Sequence, residues 1–98
     1  MWKSRFSESG LHELYDAVDW YDEQSLGLGD KFLAAVNEMK LVIETSPFLF
    51  AAKERNYRAA LLNQFPYLII YLVDEVENEI LITSIFHTSR NPKKKFKK

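Results

Sequence analysis

The chain has no cysteine among its 98 residues. That removes disulfides and thiolate metal sites, and it makes a cytoplasmic setting the expectation, since nothing requires an oxidising compartment. Long apolar runs are also missing. The longest, Tyr67 to Val73, is far short of the roughly 20 residues that cross a bilayer, so no membrane partner is expected. Met1-Trp2-Lys3-Ser4-Arg5 is followed by Ser7-Glu8-Ser9-Gly10 and not by an apolar segment, which argues against a signal peptide. The three glycines build no GxGxxG or GxxxxGKS/T phosphate loop. The two histidines, His12 and His87, stand far apart and in no HExxH spacing, so neither a metal nor a cofactor is implied.

What is present is the composition of a folded domain. Apolar residues make up 47% and charged residues 28%, a balance that supports a packed core and not a disordered chain. A chain of this length encloses one core, so residues 1–98 read as a single domain without repeats or linkers. The formal net charge of −1 hides a strong asymmetry. Residues 90–98 hold six basic side chains (Arg90, Lys93, Lys94, Lys95, Lys97 and Lys98) and no acid, against 7 basic and 14 acidic residues before them. Such a tail suits a polyanion or an acidic partner, and equally a solvated terminus.

Hydrophobic spacing gives the elements. Trp2, Ser4 and Phe6 alternate with Lys3 and Arg5 as in a short edge strand. Ser7 is a good N-cap for a helix from Glu8 to Gln24, with Leu11, Leu14, Tyr15, Val18 and Tyr21 as its buried stripe. The rest of that helix is acidic, carrying Glu13, Asp16, Asp19, Asp22 and Glu23. Asp16, Asp19 and Glu23 have a spacing compatible with metal ligation, but a solvated face accounts for them without it. Leu26-Gly27-Leu28-Gly29 reads as the turn of a helical hairpin. A second helix from Asp30 to Thr45 follows, buried through Phe32, Leu33, Val36, Met39 and Ile43 and ended by Ser46-Pro47.

After an irregular connection come three strand-like runs, Tyr57–Asn63, Tyr67–Asp74 and Glu79–His87, separated by links short enough for hairpins. The fold class predicted is α+β, with a helical hairpin on one face of an antiparallel sheet in the order β-α-α-β-β-β. Strand alternation puts Arg58 with Ala60 and Leu62, and His87 with Ile85, Thr83 and Leu81. Whether those two faces coincide stays open at this level. The aromatic set Tyr57, Phe65, Tyr67 and Tyr71 reads as core and hairpin packing ahead of base stacking.

Several stretches in combination carry a resemblance. They are Tyr57-Arg58-Ala59-Ala60-Leu61-Leu62-Asn63-Gln64-Phe65-Pro66-Tyr67-Leu68-Ile69-Ile70-Tyr71, then Ile85-Phe86-His87-Thr88-Ser89-Arg90-Asn91-Pro92, and the hairpin turn from Tyr21 to Gly29 with Phe32 after it. Over nearly the whole chain the sequence resembles the RelE/ParE superfamily of bacterial toxins, of the plasmid-stabilisation type.

The resemblance implies the toxin of a type II toxin–antitoxin pair, neutralised by a cognate antitoxin, acting as a homodimer or within a toxin–antitoxin hetero-oligomer. Two activities occur in that superfamily: ParE-like poisoning of DNA gyrase and RelE-like cleavage of messenger RNA on the ribosome. If the chain is an enzyme, it is a ribosome-dependent endoribonuclease. Attack of a 2′-OH needs a base, an acid and cations for the phosphate. His87 could move the proton, while Arg58 and Arg90 could hold phosphate oxygens. Lys53, Arg55, Lys93, Lys94 and Lys95 are the candidates for contact with target or nucleic acid.

Two features favour the gyrase reading. Phe96 stands where RelE-like nucleases often carry a tyrosine or histidine, and a phenyl ring moves no proton. The body of the chain is also acidic, unfavourable for docking on ribosomal RNA. A third reading is a non-toxic interaction module that keeps the fold and its antitoxin-binding surface.

Overall fold

The structure, a computed structural model, describes residues 1–89. Its elements are β1 (Lys3–Phe6), α1 (Glu8–Gln24), α2 (Leu28–Thr45), a 3-10 turn (Glu54–Asn56), β2 (Arg58–Leu61), β3 (Tyr67–Asp74) and β4 (Glu79–His87). The order β-α-α-β-β-β is the predicted one. Both helices contribute to a core on one face of a four-stranded sheet whose spatial order is β1-β4-β3-β2.

The expected antiparallel meander is present in β2, β3 and β4, while β1 joins β4 in parallel, so the sheet is mixed along that edge. The helical hairpin is the reason. β1 stops at Phe6, and α1 continues past it beside the upper half of β4; α2 then brings the chain back down. The Trp2 N–H donates to the Glu44 carbonyl (3.0 Å), so α2 ends where β1 begins. From there β2 sets out in the direction of β1, and two hairpins later β4 runs the same way.

Local chemistry explains the boundaries. Ser7 caps α1 with its side chain, accepting the Gly10 N–H (3.0 Å). Gly27 occupies the left-handed region at φ 87° and leads into α2. The second glycine of the turn belongs to α2 and not to the break before it. Gly29 is buried, and a Cβ there would lie 2.6 Å from the Val18 carbonyl oxygen and from Asp22 Cγ. Asp22 Oδ1 accepts the Gly29 N–H (2.8 Å), so an acid of the first helix caps the second. In the β3–β4 hairpin, Asp74 Oδ1 accepts from the N–H groups of Val76 (3.0 Å) and Glu77 (3.1 Å), and Asn78 takes a left-handed φ of 54°.

The main core joins Leu14, Ala17 and Tyr21 of α1, Phe32, Val36 and Ile43 of α2, and Ala60, Ile69, Tyr71, Ile80, Ile82 and Ile85 of the sheet. Two expected members of the α1 stripe are not in it. Leu11 is 37% and Tyr15 58% exposed, because Gly10, Leu14, Ala17 and Tyr21 make the contact face. Gly10 sets that face: a Cβ there would lie 2.7 Å from the Ile82 carbonyl oxygen, so α1 crosses β4 at backbone contact.

The crossing lies at a bulge. Ile70 pairs with Ser84 and Tyr71 with Ile82, which leaves Thr83 as the extra residue. This corrects the simple alternation. His87 and Ile85 face the helices, but below the bulge it is Ile80 and Ile82 that do so, and Leu81 turns to the other side with Leu72.

Candidate functional site

Arg58 and His87 share the helix-bearing face of the sheet, since their partners across the ladder, Tyr71 and Tyr67, both belong to the main core. They sit at opposite ends of it. Arg58 opposes Tyr71 from β2, and His87 opposes Tyr67 from β4. The two are therefore four residues apart along β3, about 13 Å, and two strand spacings, about 10 Å, across the sheet.

At the lower end, the guanidinium of Arg58 has partners of its own. Its Nη1 donates to the Phe50 carbonyl (2.5 Å), and its Cζ lies 5.0 Å from the centre of the Phe48 ring. Tyr71 is fully buried next to it and donates its hydroxyl to the Pro47 carbonyl (2.7 Å). Burial pushes this phenol up to about 12 against the opposing pull of the Arg58 charge, so it stays neutral and moves no proton at physiological pH. Arg58 and Tyr71 thus tie the loop after α2 onto the sheet. Lys53 and Arg55 are exposed in that loop; the Lys53 N–H donates to the Tyr57 carbonyl (2.7 Å), and Arg55 and Asn56 both adopt left-handed φ, 57° and 66°.

At the upper end, His87 closes β4 beside Tyr67, with ring centres 5.0 Å apart and nearly perpendicular. Together with Trp20 and Ser89 they line a concave region of about 360 Å³. The Ser89 N–H donates to His87 Nδ1 (3.1 Å), and the Ser89 hydroxyl lies 2.8 Å from the same nitrogen. A nitrogen that accepts a backbone N–H carries no proton, so the neutral ring keeps its hydrogen on Nε2. The other ring nitrogen of His87, Nε2, is then a hydrogen-bond donor.

Among the described residues, the charge beside this region is acidic. The adjoining depression, which shares Trp20 and Tyr67, is lined by Glu13 and Asp16 of α1. Of the three candidates for proton transfer and phosphate binding, Arg58 lies away from His87, and Arg90 falls outside the described residues, as do Lys93, Lys94 and Lys95. Among the described residues no cluster of His, Cys, Asp or Glu is arranged to hold a metal. None of the described helices is long and apolar enough to cross a membrane.

Two residues of this end escaped the sequence reading. Trp20, 53% exposed, follows Asp19 on what reads as the polar side of α1. Glu13 was counted with the outer acids, yet its Oε1 accepts from Ser84 Oγ (2.7 Å) and from the Ile85 N–H (2.9 Å). An exposed tryptophan in an acidic helix was a signal. Glu13 left none, because its role depends on where β1 stops.

A helical hairpin over a mixed β1-β4-β3-β2 sheet defines the class: this chain has the RelE/ParE-like toxin fold. It is similar to a chain of the chromosomal ParDE toxin–antitoxin system of P. aeruginosa, with a TM-score of 0.78 at 17% identity, covering 91% of this chain and 98% of that one. It is also similar to a chain of the intact E. coli RelBE toxin–antitoxin complex, TM-score 0.69 at 18% identity over 92% of this chain and 100% of that one. The isolated E. coli RelE toxin gives a TM-score of 0.69 at 17% identity, over 97% and 93% of the two chains. No protein-family model and no curated protein matches the sequence.

Proposed function

We propose that this chain is the toxin of a type II toxin–antitoxin module, held inactive by a cognate antitoxin, and that its target is DNA gyrase. The fold it shares with ParDE and RelBE chains supports the toxin reading, together with the Phe65-Pro66-Tyr67 and His87-Thr88-Ser89-Arg90-Asn91-Pro92 stretches. The separation of Arg58 from His87 carries the choice of target. A nuclease needs its cation and its proton carrier on one phosphate, within hydrogen-bond reach. Here Arg58 is committed to Phe50 and Phe48 at the far end of the sheet, and the depression that adjoins the one lined by His87 carries Glu13 and Asp16.

A surface for the antitoxin is available beside α2. Lys31, Ala34, Ala35, Glu38, Met39 and Val42 line a groove of about 390 Å³ with Leu62, Asn63 and Gln64, next to the edge strand β2. Val42, which lines it, is 41% exposed. An amphipathic segment laid in the groove buries it.

Expression without the neighbouring gene product should arrest growth, and co-expression should relieve it. In vitro, the purified chain should inhibit supercoiling by gyrase and leave mRNA intact in a translating extract. Cleavage of mRNA that disappears in His87→Ala and Arg58→Ala would establish the RelE-like reading instead. Tight binding to the adjacent gene product with neither activity would establish a non-toxic module.

A further inference from the structure

Glu13, Asp16, Ala17 and Trp20 fall at i, i+3, i+4 and i+7 of α1, so two carboxylates and an indole share one stripe of the helix. With Tyr67 they line a depression of about 220 Å³, and Trp20 and Tyr67 also belong to the one beside it, about 360 Å³, which His87 and Ser89 complete. Ala17, the small residue between the acids and the indole along the stripe, is buried and leaves room there. Trp20 is 53% exposed, although an indole is among the side chains with most apolar area to bury. Its ring is nonetheless held in place, packed at 85° against Tyr21 with centres 5.1 Å apart. Tyr67 is fixed in turn against Phe32, at 4.9 Å between ring centres.

We infer that this end of the protein receives the guanidinium of an arginine presented by a partner polypeptide. Charge supports that occupant first. Among the described residues no lysine or arginine lines either depression, and α1 carries six acids and neither basic residue. Shape and chemistry support it next. A cation is attracted to the face of an indole, and tryptophan binds it best of the aromatic side chains. A guanidinium is planar and weakly hydrated, so it stacks on that face while its edge N–H groups donate to a carboxylate beside the ring. An ammonium holds its water more tightly and has no flat face to stack.

Both carboxylates have capacity for such a donor. The bonds from Ser84 and Ile85 end on one oxygen of Glu13, which leaves the charge in place and the second oxygen without a partner among the described residues. Asp16 has His12 3.4 Å away, but that pair is exposed on both sides, 77% and 69%, and an exposed pair gives way to a better one at little cost. The openness of the site favours a side chain delivered by a large partner over a free small molecule. Small-molecule sites enclose most of their ligand, whereas a half-exposed tryptophan beside an arginine is the usual anchor of a protein interface. The inference does not depend on the target proposed above.

The test is a titration of the full, nitrogen-labelled chain by NMR in low-salt buffer. The protein has two tryptophans, so its indole N–H signals report two places: Trp20 at the site, and Trp2, which packs against Phe48 elsewhere. A blocked peptide with one arginine among glycines should shift the Trp20 signal saturably and leave Trp2 unmoved. The same peptide with citrulline, which keeps the shape and loses the charge, should bind about tenfold more weakly. Asp16→Asn, a change at an exposed side chain that leaves the fold intact, should weaken the arginine peptide several-fold, with the rest of the spectrum preserved. An unmoved Trp20 signal, equal binding of the citrulline peptide, or undiminished affinity in Asp16→Asn overturns the inference. Binding of a lysine peptide or of tetramethylammonium as tightly as the arginine peptide overturns it too, since the site is then one for ammonium ions.

Discussion

Glu13 and Ile85 are joined by a hydrogen bond in which the carboxylate of a helix replaces a missing strand. β1 pairs with β4 only as far as Ile82, and above that level no strand of the described residues lies beside the outer N–H of Ile85. Glu13 Oε1 accepts it (2.9 Å) and takes the Ser84 hydroxyl as well (2.7 Å). An orphaned donor inside the fold costs its full desolvation, so this contact matters more than an exposed ion pair of the same length.

Glu13→Ala should therefore destabilise the protein by about 1–3 kcal/mol, and Glu13→Gln, which keeps a carbonyl acceptor, by less. Urea denaturation measures the difference. Amide exchange at Ile85 should accelerate in Glu13→Ala more than at Ile82, which belongs to the β1–β4 ladder.

Glycine substitutions should separate close contact from conformational freedom. Gly10→Ala and Gly29→Ala place a Cβ within 2.7 Å of backbone oxygens, so each should cost about 1–3 kcal/mol through displacement of a helix. Gly27→Ala meets no atom within 4 Å but keeps a φ of 87°, and its cost should be about 1 kcal/mol. Thermal unfolding of the three variants checks the order.

Tyr71 makes stability depend on alkaline pH. Its hydroxyl ionises near 10 in the unfolded chain and is pushed up to about 12 in the fold, so its contribution is complete below pH 10 and is lost as pH rises towards 12. Tyr71→Phe should be less stable at neutral pH for want of the bond to Pro47, but should lose less stability between pH 10 and 12. Denaturation midpoints across that range decide it.

Arg58→Lys should lower stability by about 1 kcal/mol, because an ammonium does not reproduce the guanidinium that bridges the Phe50 carbonyl and the Phe48 ring. On the proposed gyrase target, inhibition per folded molecule should be unchanged. A loss of inhibition larger than the loss of folded protein would place Arg58 in the target interface.

For His87, nitrogen NMR at a pH where the ring is neutral should find the proton on Nε2, with Nδ1 accepting from Ser89. Ser89→Pro removes that N–H and should shift the tautomer balance towards Nδ1–H.

Much of the architecture was legible in the sequence because it rests on local periodicity. The limits of α1, β3 and β4 follow from Ser7 and from the apolar runs, and the hairpin turns from Asp74 and Gly27. Resemblance in the stretches around Arg58 and His87 pointed to the fold. The outer strands read less accurately. The run from Tyr57 to Asn63 yields a strand only from Arg58 to Leu61, since Tyr57 is drawn into the loop and Leu62 turns inwards at the Gln64-Phe65-Pro66 corner.

By itself, then, the sequence determined the elements, their order and the residues able to carry charge and protons. Tertiary structure alone decided how those residues stand to one another. Which end of the sheet a side chain occupies depends on the path of the helical hairpin, which face it takes below Thr83 depends on a bulge, and whether Glu13 faces water depends on how far β1 runs. These are contacts between parts of the chain distant in sequence, and no local pattern records them. They separate Arg58 from His87, and with them the chemistry that one motif had appeared to join.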